Sequence, residues 1–407
     1  MPFDNFPRSA SLKPEPFKAQ VTDLELEGLR LLLRVSPIGP ETYENRVTDV
    51  KDFTSWGITR KWLEEAKETW INNYDWRKTE QRINSFNNYT VEIDHEGFKH
   101  KIHFIALLSQ KQDAAPLLLS HGWPGSFLEF LGALDEFRTK YSEKDLPFNI
   151  IVPSLPGYGY SNGPPLDKDF KVEDASAVLD KLMIGLGFGD GYIAQGGDIG
   201  SFISRVLGTT STACKAVHLN LAIGIFPESD EELKSLKEHE QKGIARTNDF
   251  ATMGNAYARE HGTRPATIGL VLSSSPIGLL AWIGEKFQQW THENPSMQEM
   301  LDGASLYWFT KSFPRAIYGY RQFFGAVPQF FHNDPQYYCK KPLGYSWHPW
   351  ELAPIPVPLV AKTGNLVWHR EHSEGGHFSA WEKPKLFVKD MEDFAKEVWQ
   401  SAKGAKI

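Results

Sequence analysis

Apolar positions in the first hundred residues recur at helical spacing. Leu24, Leu31 and Leu32 fall near one stripe of residues 23–34, and Trp62, Ala66, Thr69 and Trp70 share one face of residues 59–72. A further helix is predicted from near Asp75. Residues 90–94 and 101–108 then read as strands on either side of the turn signal His95-Glu96-Gly97. From Pro116 the texture changes to short, wholly apolar runs at 116–120, 149–152, 192–194 and 217–221, each closed by glycine, proline or a small polar residue. Helical spacing returns between them, at 127–137 and 172–186. Strands buried on both faces and alternating with helices predict a mostly parallel sheet, an α/β fold.

From about 226 to 334 the pattern is helical and rich in Trp, Phe and Tyr. Strand-like runs resume at 344–348 and 356–362, and a last helix covers 384–402. A helical insertion between two stretches of one sheet predicts a lid over the strand ends, where open α/β sheets bind ligands. The chain thus divides into an N-terminal helical and hairpin extension (1–110), a first core part (111–225), the helical lid (226–334) and a second core part (335–407). Lid aromatics such as Trp282, Trp290, Phe309 and Phe313 are expected to line the pocket.

Composition narrows the class of protein. Of 407 residues, 41% are hydrophobic and 23% charged, a balance that excludes disorder and fibrous repeats. The net charge of −7 leaves no electrostatic footprint for nucleic acid or anionic lipid. Cys214 and Cys339 are far apart and make neither a metal pattern nor a disulfide framework, so a reducing compartment is expected. No apolar stretch follows a basic segment at the N-terminus, and the uncharged run 266–284 is broken by Pro276, serines and glycines. The expectation is a soluble, cytoplasmic protein with no membrane partner. Asn88-Tyr89-Thr90 is a glycosylation sequon by letters alone.

The sharpest local motif is Gln195-Gly196-Gly197-Asp198-Ile199-Gly200-Ser201, between a strand-like run and a helical one. Small residues two before and two after an apex are what a nucleophile elbow needs, because a larger side chain would clash where strand becomes helix. The apex here is an aspartate. A carboxylate with an ordinary pKa of ~3.9 is ionised at neutral pH and can displace at saturated carbon unaided. The resulting ester can be cleaved by water, whereas a serine attacking the same carbon would leave an inert ether. Alone, the motif equally suits a strand–helix loop with an aspartate cap. Gly159-Tyr160-Ser161-Asn162-Gly163 matches a serine elbow by letters, but Pro164-Pro165 follows where a helix should begin.

His377 lies in Glu374-Gly375-Gly376-His377-Phe378, after the last strand-like run and before the final helix. In the chain order nucleophile, acid, histidine, the orienting acid falls between Asp198 and His377. Glu351, just past residues 343–348, is the expected acid; Glu371 and Glu374 are rivals on the histidine's own loop. His121-Gly122-Trp123-Pro124-Gly125 follows the strand at 116–120. It is placed to offer the Trp123 N–H to an oxyanion, together with the N–H of Ile199.

His121-Gly122-Trp123-Pro124, Gly197-Asp198-Ile199-Gly200 and Gly375-Gly376-His377-Phe378 resemble the motifs of epoxide hydrolases of the microsomal type, which have the α/β-hydrolase fold. Trp62, Trp70, Asp75-Trp76-Arg77 and Tyr89 resemble that branch's N-terminal region, and the likeness is strongest to its soluble fungal members. The resemblance implies Asp198 as nucleophile, His377 as base and Glu351 as acid, acting without cofactor or metal on a small-molecule epoxide to give a vicinal diol. It also implies two lid tyrosines that hold the epoxide oxygen. Tyr257 matches the first. For the second, Tyr320 is preferred to Tyr318 because a basic residue, Arg321, follows it directly. A homodimer is compatible with this reading. The alternatives are a haloalkane dehalogenase, which commonly has a tryptophan where this chain has Ile199, and a non-catalytic binder of a small apolar ligand.

Overall fold

The computed structural model describes residues 2–325 and 332–404. One nine-stranded sheet runs through the molecule: β1 (Glu15–Pro16), β2 (Asn87–His95), β3 (Phe98–Leu107), β4 (Ala115–Ser120), β5 (Phe148–Pro153), β6 (Tyr192–Gly196), β7 (Cys214–Leu219), β8 (Cys339–Trp347) and β9 (Gly364–Glu371). Their order is β1-β2-β3-β5-β4-β6-β7-β8-β9. The first three pair antiparallel, as does β3 with β5; from β5 to β9 every neighbour is parallel. The N-terminal hairpin therefore extends the main sheet. The fold is that of α/β hydrolases.

β4 and β6 define the functional end. The chain leaves β4 for β5 on one side and later returns to β6 on the other, so connections diverge between them. A crevice opens at such a switch point, at the carboxyl ends of the strands. Gly122 and Trp123 follow β4, and Asp198 follows β6. Side chains on β4 are all buried, as expected of a strand covered on both faces.

Between β7 and β8 lies the lid, whose helices include Glu238–Asp249, Ala256–Thr263, Pro265–Ser273, Pro276–Gln289, Met297–Thr310 and Tyr320–Phe324. Among the described residues no single helix is long and apolar enough to cross a membrane. The uncharged run forms two helices bent by 117° at Ser274–Ser275. The N-terminal segment clasps the lid. Trp70 Nε1 donates to Ser305 Oγ at 3.1 Å, and Tyr74 Oη and Thr79 Oγ1 both donate to Asp302 Oδ1, at 2.9 and 2.5 Å.

Three expectations are corrected. Residues 356–362 are not a strand: Val357–Ala361 is a short helix with prolines in its first turn, and the strand follows as β9. In the helix Asp23–Val35, Leu29 and Leu33 face the core, whereas Leu24 and Leu31 are 78% and 62% exposed. Phe309 packs on Trp76 of the N-terminal segment, with centroids 5.3 Å apart, instead of lining the pocket. Asn88 is buried, its amide donating to the Ile83 and Phe86 carbonyls, so the sequon is closed to glycosylation.

Candidate active site

β6 turns into the helix Asp198–Thr210 within two residues, and the sterics of that turn account for its glycines. A Cβ on Gly196 would lie 2.0 Å from the Gly200 carbonyl oxygen, and one on Gly200 would lie 2.1 Å from that of Ser120. Asp198 takes a left-handed φ of 45°, uncommon for a residue with a side chain, as expected at the apex of an elbow. The carboxylate is aimed at the loop after β4. Its Oδ1 accepts from the Trp123 N–H at 2.7 Å, and it lies so close to Gly122 that a Cβ there would be 2.1 Å from Oδ1. Ile199, second in its helix, presents an N–H that the helix itself leaves without a partner.

His377 is buried against the same carboxylate. Its Nε2 lies 3.3 Å from Asp198 Oδ2, and its Nδ1 donates to Glu351 Oε1 at 2.5 Å. Burial works against a charged ring here, but the Glu351 carboxylate and then the bond to Asp198 outweigh it, raising the His377 pKa to about 10. With a carboxylate at each nitrogen the resting imidazole carries both protons. The backbone fixes the ring: the His377 N–H donates to the Trp290 carbonyl at 3.0 Å, and Glu382 accepts from the N–H groups of Phe378 and His292. Glu351 is fully buried, and its Oε1 also accepts from the Leu352 N–H at 2.6 Å. Arg246 Nε donates to the Glu351 carbonyl at 2.7 Å, and its guanidinium lies over Phe53 and Trp350, 4.5 Å from each ring. The rivals sit elsewhere. Glu371 is bound to Lys237 and His239, and Glu374 to Lys383.

Above the carboxylate stand Tyr257 and Tyr320, buried on two lid helices with ring centroids 5.8 Å apart. Burial, and after it the charge of Asp198 among other neighbours, pushes both phenols well above their ordinary pKa, so both stay protonated donors. Tyr318 faces a different neighbourhood: its ring packs on Phe170, and its nearest charges are Asp174 and Arg321. Trp123 ties these parts together. Its ring stacks on Tyr257 at 5.1 Å and meets Tyr320 edge-on at 5.9 Å.

A narrow cavity bounded by Asp198, Tyr257 and Tyr320 is walled by Phe202, Phe250, Phe323 and Phe324. Three of these walls, Phe250, Phe323 and Phe324, also border an adjoining hollow of about 400 Å³ with Arg259 and Asn255 at its side. Of the lid aromatics expected as walls, Trp290 and Phe313 pack behind the site against Trp123, and Trp282 donates from Nε1 to His261 Nε2. Two buried phenols, Tyr158 and Tyr307, also sense the Asp198 charge. The sequence offered only aromatic richness as a signal for them.

The other motifs have structural roles. Ser161 Oγ donates to the Ser154 carbonyl and accepts from the His103 N–H, so the apparent serine elbow is a packed turn. His121 is buried, and burial lowers its pKa to about 4, so it stays neutral; its Nε2 accepts from the Leu155 N–H. Chemically, the site offers a carboxylate paired with an imidazole, a second carboxylate that orients that ring, a backbone donor and two protonated hydroxyls around one apolar space.

Comparison with known proteins shows the family. Residues 14–130 match the family described as epoxide hydrolase N terminus, and residues 115–324 match the alpha/beta hydrolase fold. A protein named as an epoxide hydrolase of Dothistroma septosporum is 44% identical over 396 residues, covering 96% of this chain and 92% of that one. Epoxide hydrolase 1 of Sus scrofa is 29% identical, covering 93% and 88%. The solved structure of Aspergillus niger epoxide hydrolase superposes with a TM-score of 0.91 at 50% identity, covering 98% of this chain and 100% of that one.

Proposed function

The chain belongs to the epoxide hydrolases of the α/β-hydrolase fold and is itself an epoxide hydrolase; we propose that it works through an ester on Asp198. Oδ2, the oxygen not held by the Trp123 N–H, attacks an oxirane carbon. The C–O bond of the ring breaks while Tyr257 and Tyr320 hydrogen-bond the departing oxygen, and the proton that His377 gives up as the Asp198 charge is lost ends on that oxygen, leaving a hydroxyalkyl ester. His377 then takes a proton from water, whose oxygen adds to the ester carbonyl carbon. The Trp123 and Ile199 N–H groups hold the oxyanion, Glu351 holds the imidazolium, and collapse releases a vicinal diol. The observation that carries this reading is the chain of contacts from Trp123 N–H through Asp198 and His377 to Glu351.

The experiment that tests it is rapid quenching with styrene oxide followed by intact-protein mass measurement. An adduct of substrate mass on the peptide bearing Asp198 supports the scheme, and turnover with no adduct at any time counts against it. The lid tyrosines should show in the first step only. Tyr257→Phe and Tyr320→Phe should each slow ester formation about 10²-fold, the usual cost of one oxyanion donor, with ester hydrolysis nearly unchanged. Equal slowing of both steps would mean the phenols serve the lid's packing instead.

The raised pKa of His377 gives a pH dependence with a definite sign. A protonated ring cannot accept a proton from water. Esterification removes the Asp198 charge, one of the two that hold the ring's proton, so the base is released as the ester forms. Ester hydrolysis, measured between about pH 9 and about pH 5, should therefore slow toward the acid side, approaching tenfold per unit on the acid limb, with ester accumulating there. A hydrolysis rate flat across that range would contradict the assignment.

A dehalogenase reading is disfavoured by Ile199, whose aliphatic side chain has no halide donor. The substrate is a small, largely apolar epoxide, because the cavity walls are phenylalanines. Cys214 and Cys339 are both free and buried, which suits the cytoplasm. All the proposed site residues come from one chain, so a monomer or a homodimer would serve the chemistry equally.

A further inference from the structure

Glu129 has no place in the scheme so far, yet it sits next to it. It lies in the short 3₁₀ turn Phe127–Phe130, just beyond the Trp123–Gly125 loop. A Cβ on Gly125 would be 2.1 Å from Glu129 Oε2 and 3.3 Å from the Gly122 carbonyl oxygen, and Gly122 in turn abuts Asp198. The Glu129 carboxyl is thus two glycine contacts from the Asp198 carboxylate, and it lines a cavity other than the one Tyr257 and Tyr320 border. Among the described residues it makes no ion pair. Arg82, which borders the same space, is bound to Asp135 at 3.0 Å. Burial pushes the Glu129 pKa up to about 8, with the charge of His377 acting against that rise, Asp198 adding to it and a backbone hydrogen bond from Ser126 opposing it. Tyr307, which donates to the Gly125 carbonyl at 3.0 Å, senses both Asp198 and Glu129.

Behind Glu129 opens a cavity of about 270 Å³ bordered by Pro124, Gly125, Phe287 and Trp381. It has no wall residue in common with the Tyr257–Tyr320 cavity, and it has room for several waters and polar groups to hold them. Once Asp198 is esterified, the alkyl chain fills the tyrosine side. The nucleophile for the second step must then approach from elsewhere, and this side has both space and a buried carboxyl with no ion-pair partner among the described residues.

Resting on the ester reading above, we infer that Glu129 positions the hydrolytic water, drawn from this rear cavity, for deprotonation by His377. One water hydrogen goes to Glu129 and the other to His377 Nε2. The oxygen bonds to the Asp198 carbonyl carbon, the ester C–O bond breaks, the departing alkoxide takes the proton held by His377, and the water's second proton passes from the new Asp198 carboxyl to His377 Nε2, restoring the resting pair. Glu129 begins and ends in the same protonation state, because its carbonyl oxygen accepts a hydrogen bond whether or not the group is ionised.

The test is a single-turnover measurement on styrene oxide with Glu129→Leu and Glu129→Gln, resolving ester formation from ester hydrolysis. In Glu129→Leu, formation should stay within about threefold of the parent while hydrolysis slows about 30- to 100-fold and ester accumulates, the scale of a misplaced reactant. Glu129→Gln keeps an acceptor oxygen and should recover hydrolysis to within about fivefold. Unchanged hydrolysis in both variants, or formation and hydrolysis slowed in proportion, overturns the inference; the latter is the mark of a structural role. If Glu129→Leu fails to fold, Glu129→Ala takes its place and decides by the ratio of the two rates. Failure of the ester scheme is distinct: no adduct would then be seen in any variant, His377→Gln included.

Discussion

Asp198→Ala should form no adduct and lose about four to six orders of magnitude in turnover of styrene oxide, the scale seen when a nucleophile acting as part of a unit is removed. No neighbouring carboxylate can substitute. Glu351 is fully buried with Oε1 committed to His377 and the Leu352 N–H, and Glu129 lies behind the loop from the tyrosine cavity. The variant should fold. A truncated side chain leaves the glycine contacts of the elbow intact and removes one of several negative charges gathered around His377. Thermal unfolding should therefore occur near the parent's temperature, relief of the crowded charge offsetting an alanine held at a left-handed φ of 45°. Diol formation at the parental rate by a folded Asp198→Ala would end the covalent scheme.

His377→Gln is the complementary case. Asp198, the Trp123 N–H and both tyrosines are untouched, so the first step should proceed and the second should stall. About one equivalent of epoxide per enzyme should be consumed in a burst, followed by hydrolysis slowed about 10³-fold, the middle of the range for loss of a general base. The adduct should persist through denaturation and map to the peptide containing Asp198. A variant that neither bursts nor turns over would instead show that His377 is needed for ester formation, as a partner that orients the carboxylate across the 3.3 Å contact. Glu351→Gln should resemble it more mildly, because an amide at 2.5 Å from Nδ1 still orients the ring without stabilising its charge.

Much of this arrangement was legible in the sequence, for physical reasons that differ from residue to residue. The elbow could be read because the sterics that demand Gly196 and Gly200 are local, acting between a strand end and the helix that follows it. Glu351 could be reached only through chain order, since its contact with His377 spans 26 residues and leaves no periodic trace. The choice of Tyr320 over Tyr318 rested on resemblance; both are buried, and only their surroundings tell them apart. β9 was missed because it is an edge strand with alternating exposure, so His369 and Glu371 dilute its apolar signal, while the prolines near Val357 imitated the end of a strand. The leucines of Asp23–Val35 misled because there are too many of them to mark one face. Glu129 fell within a segment that read as an ordinary amphipathic helix. Only the fold back of the Trp123–Gly125 loop places it behind Asp198.

The clasp between the N-terminal segment and the lid bears on how the enzyme chooses between mirror-image substrates. Trp70, Tyr74 and Thr79 hold the helix Met297–Thr310 through Ser305 and Asp302, and Trp62 packs so tightly on Gly284 that a Cβ there would sit 2.5 Å from its ring. The Met297–Thr310 edge of the lid is therefore held to the N-terminal segment by hydrogen bonds and close packing together. Which face of an oxirane meets the carboxylate should then depend on Phe250, Phe323 and Phe324, which wall the cavity. Bulk exchanged at that threshold can invert the preferred antipode while every reacting group stays where it is.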